Sequence, residues 1–329
     1  MKQKILEVKN LMTQYYTGKK LVTVVNNVSF DLFSGRSLAI VGESGSGKSA
    51  MALSLMRLIE PPVGKITAQG IFLEGKDILT LSIKDMQEIR GNRISMIFQE
   101  PMTALNPVFT IGEQIMETIQ LHQQVPPNEA KIRCIALLTL VGIPAPRQRM
   151  LEYPHQISGG MRQRVMIAIA LACDPSVLIA DEPTTALDVT TQAQIMDLMQ
   201  RLQAEKDMGI ILITHDLGVV AEVCHEVAVM YSGSIVEKSE VKAIFNGPMH
   251  PYTQALLDAI PPLSVRSRSH RLRTIDGVVP PLCNLPTGCP FQDRCPNVKD
   301  QCRDNKPLLK EVSCDHFVAC FYPLKGSTK

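Results

Sequence analysis

Apolar positions in this chain gather into short, nearly unbroken blocks. Ser37–Val41 (SLAIV), 94–98 (ISMIF), 177–180 and 210–214 are such runs, the pattern of strands buried on both faces. Between them the period lengthens to that of helices over 50–59, 112–140, 161–173 and 191–203. Pro61, Pro62 and Gly64 stop the first helix, Pro126 and Pro127 interrupt the second, and Gly159 and Gly160 open the third. Strands alternating with helices predict an α/β fold with a parallel sheet covered on both faces.

The longest apolar stretch, 165–173, is about half of the ~20 residues a bilayer span needs, and the first ten residues, MKQKILEVKN, are too polar for a signal peptide. A peripheral rather than integral protein is expected. At 329 residues the chain predicts a large domain over 1–260 and a small one over 261–329. The texture changes after Ile260, where Pro261, Pro262 and the basic run 265–273 (VRSRSHRLR) read as a solvated linker. A net charge of +2, no Trp and 5% aromatics argue against a nucleic-acid partner.

Gly42, Glu43, Ser44, Gly45, Ser46, Gly47, Lys48 and Ser49 form a G-x4-G-K-S string between an apolar strand and a helix. Glycines let the backbone wrap closely and aim successive N–H groups at phosphate oxygens. The helix start adds its positive end. Lys48 is expected to neutralise β- and γ-phosphates, and the Ser49 hydroxyl to meet Mg2+. Chance supplies such a string in roughly one chain of this length per hundred. Downstream, the strand at 177–180 ends in Asp181 and Glu182. Asp181 is expected in the Mg2+ shell and Glu182 beside the γ-phosphate, polarising the attacking water.

Ile157, Ser158, Gly159, Gly160, Met161, Arg162, Gln163 and Arg164 resemble the signature motif of ABC transporter nucleotide-binding subunits. Met161 stands where that family usually has Gln. The resemblance implies a P-loop NTPase fold with a helical subdomain over about 100–155 and a small Cys-rich C-terminal appendage. It implies that Ser158, Gly159 and Gly160 cap ATP held by the opposite subunit, as a helix start suits an anion. Gln99 resembles the Q-loop glutamine that senses Mg2+. Thr185, Ala186, Leu187 and Asp188 resemble the D-loop, and His215 the switch histidine. Tyr15 is the implied adenine-stacking aromatic, with Tyr16 its rival.

His250, Pro251, Tyr252, Thr253, Gln254, Ala255, Leu256 and Leu257 resemble a string found in importers for dipeptides, oligopeptides and nickel. That likeness implies a heterodimer with a paralogous ATPase, two membrane-spanning permease subunits and an extracytoplasmic binding protein. It places the chain peripherally on the cytoplasmic face of the inner membrane. A nickel or other solute importer, and more remotely a non-transport ABC ATPase, are the alternatives.

Of nine cysteines, Cys283, Cys289, Cys295, Cys302, Cys314 and Cys320 crowd the tail. In a cytosolic chain such crowding favours metal over disulfides. Cys289, Cys295, Cys302 and Cys320, separated by five, six and seventeen residues, are expected to hold metal. Without C-x2-C knuckles the spacing leans to a [4Fe–4S] cluster, as in related peptide-permease subunits, with Zn2+ as the alternative.

Overall fold

The structure is a computed structural model that describes residues 3–18, 20–100, 104–184, 187–260 and 274–325. The expected linker at 265–273, and Thr185 and Ala186 of the D-loop string, lie outside the described residues. In chain order the first strands are β1 Lys4–Thr17, β2 Lys20–Phe33, β3 Ser37–Val41, β4 Gly64–Thr67, β5 Gly70–Leu73 and β6 Lys76–Asp77. They are followed by β7 Ile94–Ile97, β8 Val177–Asp181, β9 Gly209–Ile213, β10 Glu226–Tyr231 and β11 Ser234–Glu240. The tail adds β12 Lys310–Ser313 and β13 His316–Val318. Two compact units arise, one from residues within 1–7, 31–37 and 71–212, the other from residues within 8–30, 38–70 and 213–329.

In the first unit β7 and β8 run parallel, with Ile94 opposite Val177 and Ile97 opposite Ala180. Every residue of both strands is buried, which is why they read as unbroken apolar runs. Three mutually packed helices form the helical part: α2 Ile111–Gln123, α3 Pro127–Leu140 and α4 Gly159–Ala170, with α1, Lys48–Leu55, preceding them in the other unit. A capping box opens α2: Thr110 N–H donates to Glu113 Oε2 at 2.7 Å, and Glu113 N–H to Thr110 Oγ1 at 3.3 Å. Gln124 at φ 51° ends that helix, and Pro127 starts α3 at a position where its missing N–H costs nothing. The expected break at Pro126 and Pro127 is thus a helix–helix corner.

In the second unit β3 and β10 are parallel, with Ala39 opposite Val227 and Val41 opposite Val229. The remaining pairings depart from an all-parallel sheet. β10 and β11 form an antiparallel hairpin across Ser232 (φ 44°) and Gly233 (φ 82°), both left-handed as a tight hairpin requires. β13 then pairs antiparallel with β11, and β12 with β13. A separate Cys-rich appendage therefore does not stand out, because the tail strands extend this unit's sheet. Its core joins Ala39, Val41, Val229 and Tyr231 to Tyr252 and Phe291. Among the described residues no helix is long and apolar enough to cross a membrane.

Candidate nucleotide site

The loop from Gly42 to Ser49 joins β3 to α1, as the spacing predicts. Gly42 (φ 152°) and Gly47 (φ 99°) are required by close approach: a Cβ would fall 2.2 Å from Met230 O at the first and 2.5 Å from Val24 O at the second. Lys48 is buried, and its ammonium curls back on its own loop. Nζ donates to Gly42 O at 2.8 Å, Glu43 O at 2.9 Å and Ser46 Oγ at 3.4 Å. A cation is thus held at the rim of a backbone cradle whose outer residues, Ser44 and Gly45, are exposed. Ser49 is half-buried in the first turn of α1. In the same unit Tyr15 is half-buried, opposite Gly64 in the β1–β4 pairing, and burial raises its phenol. Tyr16 is exposed. His215 is exposed just beyond β9.

In the first unit β8 ends on Asp181, which is buried. Glu182 follows at φ 47°, a left-handed conformation that a non-glycine residue adopts at a cost of about 1–3 kcal/mol. The turn redirects its carboxylate to Gln99, whose Nε2 donates to Glu182 Oε2 at 2.9 Å. Two residues 83 positions apart, singled out separately by sequence, are therefore in contact. Ser158 is exposed and caps α4, accepting from Met161 N–H at 3.3 Å. Gly159 leaves open space where a side chain would stand. Asp188 caps the helix α5, Val189–Lys206, accepting from Thr191 N–H at 2.9 Å and Thr191 Oγ1 at 2.7 Å. Those bonds lower its carboxyl pKa.

Sequence reading passed over one group around the P-loop. Arg294 grips the Glu43 carboxylate with both terminal nitrogens, at 2.9 and 3.1 Å. Tyr252, on the helix α6 Pro251–Asp258, accepts a 2.9 Å bond from Glu43 N–H. His250 caps that helix, its Nδ1 accepting from Tyr252 N–H at 3.0 Å. Glu237, fully buried, accepts from Met249 N–H at 2.7 Å, His250 N–H at 2.9 Å and His316 Nε2 at 2.7 Å. The string from His250 to Leu257 contained two of these residues, but nothing in its pattern pointed to the P-loop.

The tail cysteines correct an expectation. Among the described residues, no group of three or more His, Cys, Asp or Glu is arranged to hold a metal ion. Cys289, Cys295, Cys302 and Cys320 line one small depression with Phe291 and Phe321. Burial pushes the Cys289 thiol up to about 11 and raises Cys295 and Cys320 as well. Buried, neutral thiols of this kind pack as small hydrophobes. Cys289 and Cys295 pack against the core at Phe291. The iron–sulfur and zinc readings of this tail are not supported.

Residues 25–185 match the family described as ABC transporter, and residues 236–302 match the oligopeptide/dipeptide transporter C-terminal region. The chain is 49% identical over 328 residues to a putative peptide import ATP-binding protein of Brucella melitensis, covering 97% of each. It is 50% identical over 317 residues to the oligopeptide transport ATP-binding protein AppD of Bacillus subtilis, covering 96% of each. Among solved structures it resembles the ATP-binding cassette MJ0796, dimeric in a post-hydrolysis state with ADP and Pi, at a TM-score of 0.65 and 27% identity over 72% of this chain and 99% of that one. With the glycine cradle, its curled-back lysine and the acidic strand end, these matches show that the chain belongs to the ABC transporter family, as an ATP-hydrolysing subunit of its oligopeptide and dipeptide permease branch.

Proposed function

We propose that this chain drives import of dipeptides or oligopeptides, as one ATPase of a heterodimer with a paralogue. The reading adds two membrane-spanning permease subunits, an extracytoplasmic binding protein, and a peripheral position on the cytoplasmic face of the inner membrane. Its main support is the match of residues 236–302 to the oligopeptide/dipeptide transporter C-terminal region, beside near-full-length relatives named for peptide import and for oligopeptide transport. Exposed Val108, Phe109, Leu121 and Ile132 offer apolar side chains on the proposed helical subdomain, about 100–155, where a permease would dock. The nucleotide-binding domain is taken as 1–260 and the tail domain as 261–329.

In this mechanism Gly42, Glu43, Ser44, Gly45, Ser46 and Gly47 wrap the triphosphate and Lys48 neutralises it. Tyr15 stacks on adenine. Ser49, Gln99 and Asp181 supply hydroxyl, amide and carboxylate oxygens, the hard donors that Mg2+ takes. When bound, Mg2+ offsets the charge developing on the phosphates. Glu182 polarises the attacking water, and His215 steadies the γ-phosphate. Ser158, Gly159 and Gly160 cap the nucleotide of the opposite subunit, with Asp188 at the seam. Closure follows charge neutralisation, and like-charged products reopen the dimer.

The test is uptake in cells lacking this gene, complemented with the wild-type chain or with Lys48→Ala. Dipeptide or oligopeptide uptake restored only by the wild type supports the reading. Restoration of nickel uptake in its place would move the assignment to a metal importer, and restoration by Lys48→Ala would remove ATP from the cycle.

A further inference from the structure

Glu43 is an anion inside an anion-binding loop. A carboxylate free to swing there would repel a phosphate. Both of its oxygens are instead taken by the Arg294 fork at 2.9 and 3.1 Å, the bidentate geometry that makes such pairs strong. Arg294 is itself fixed. Its Nε donates to Asp276 O at 3.0 Å and a terminal nitrogen to Ile275 O at 3.4 Å. Its guanidinium lies 5.8 Å from the Tyr231 ring centre and 5.9 Å from that of Phe291. The arginine side chain is 5% exposed and that of Glu43 25%, so the guanidinium is shielded from water while its partner keeps one side open.

The backbone of Glu43 is equally committed. Its N–H goes to Tyr252 Oη, and its carbonyl accepts from Ser46 N–H at 3.2 Å and Lys48 Nζ at 2.9 Å. Through this residue, a side chain of the tail is connected to the cation of the P-loop. We propose that Arg294 is a positioning residue for nucleotide binding: by holding Glu43 it sets the cradle and turns a repelling charge away from the phosphates. The proposal rests on the ATP-site reading above and adds that the tail is a working part of that site.

A double-mutant cycle on the full chain tests it, with MgATP affinity measured by titration and KM and kcat by phosphate release. Arg294→Ala is expected to weaken MgATP affinity and raise KM by about tenfold, with kcat lowered less, as expected for residues sharing one network. In a Glu43→Gln background, where the carboxylate charge is gone, the same Arg294→Ala change is expected to cost about twofold or less. Arg294→Lys, which keeps the charge and loses the fork, falls between. If Arg294→Ala does not fold, Arg294→Lys completes the same cycle. An equal fold-loss in both backgrounds would mean that Arg294 only pins the tail, and unchanged affinity would show no role at all; either overturns the proposal. A wild-type chain that binds no MgATP would instead sink the nucleotide-site reading, a result distinct from both.

Discussion

Gln99 Nε2 donates to Glu182 Oε2 at 2.9 Å, so the second residue beyond β7 is tied to the carboxylate that follows β8. The bond suggests how an isosteric change should behave. In Glu182→Gln the side-chain carbonyl still accepts from Gln99, so the geometry survives while the basic carboxylate is lost. Turnover is expected to fall by about 100-fold or more, the scale of a lost general base, with MgATP affinity kept. Undiminished turnover in a phosphate-release assay would take Glu182 out of that role.

Lys48 spends its ammonium on Gly42 O, Glu43 O and Ser46 Oγ. Lys48→Ala removes the cation and opens the loop it braces. Affinity for MgATP is expected to drop by at least tenfold and hydrolysis to vanish. Chelating Mg2+ from the wild type should likewise stop hydrolysis, since the ion proposed to sit at Ser49, Gln99 and Asp181 would offset the charge developing on the phosphates. Turnover that persists after chelation would contradict this assignment.

Much of this was legible from residues alone, and for a physical reason. The P-loop and the strand at 177–180 are local: a few consecutive residues carry both shape and chemistry. Parallel buried strands such as β7 and β8 show as apolar runs because neither face meets water. β1 was passed over because its buried and exposed positions do not alternate cleanly: Ile5 and Leu6 are both buried, Lys9 and Asn10 both exposed, with Asn10 at φ 50°. β12 is exposed along its whole length, so no apolar pattern marks it. The Glu43–Arg294 contact joins residues 251 positions apart, and no local spacing encodes it. Cysteine spacing misled for the opposite reason, since crowding in sequence does not by itself assemble a ligand set.

His250 ties stability to pH through a buried imidazole. Burial lowers its imidazole from 6.5 to about 4, with the nearby Glu237 charge pulling the other way. A folded chain therefore keeps this ring neutral while the unfolded chain protonates it below about 6.5. Its contribution is intact above that pH and is lost on acidification towards 4, where it amounts to about 3 kcal/mol. Chemical denaturation between pH 7 and 4.5 should show this slope. His250→Asn, which can still cap α6, should flatten it, and an unchanged slope would assign the acid sensitivity to other groups.

Ser158 caps α4, and in the proposed mechanism it also caps the partner's nucleotide. Ser158→Ala is expected to cost about 1 kcal/mol of stability, the usual loss of a helix cap. MgATP binding by the single chain should not change, because its own P-loop is untouched, while ATPase activity of the assembled dimer should fall. A mutant dimer as active as wild type, with only the melting temperature lowered, would leave Ser158 as a cap alone.

The pairing of β13 with β11, sealed by His316 on Glu237, imposes an order on biosynthesis. Glu237 leaves the ribosome 79 residues before His316, one of the three groups that donate to it, and a carboxylate is costly to bury short of a donor. The sheet of the second unit can therefore be completed only after residue 318 has cleared the exit tunnel. Ribosome stalling or a frameshift upstream of that point would release a polypeptide with an intact P-loop sequence but an unfinished sheet, a natural substrate for chaperones and proteases.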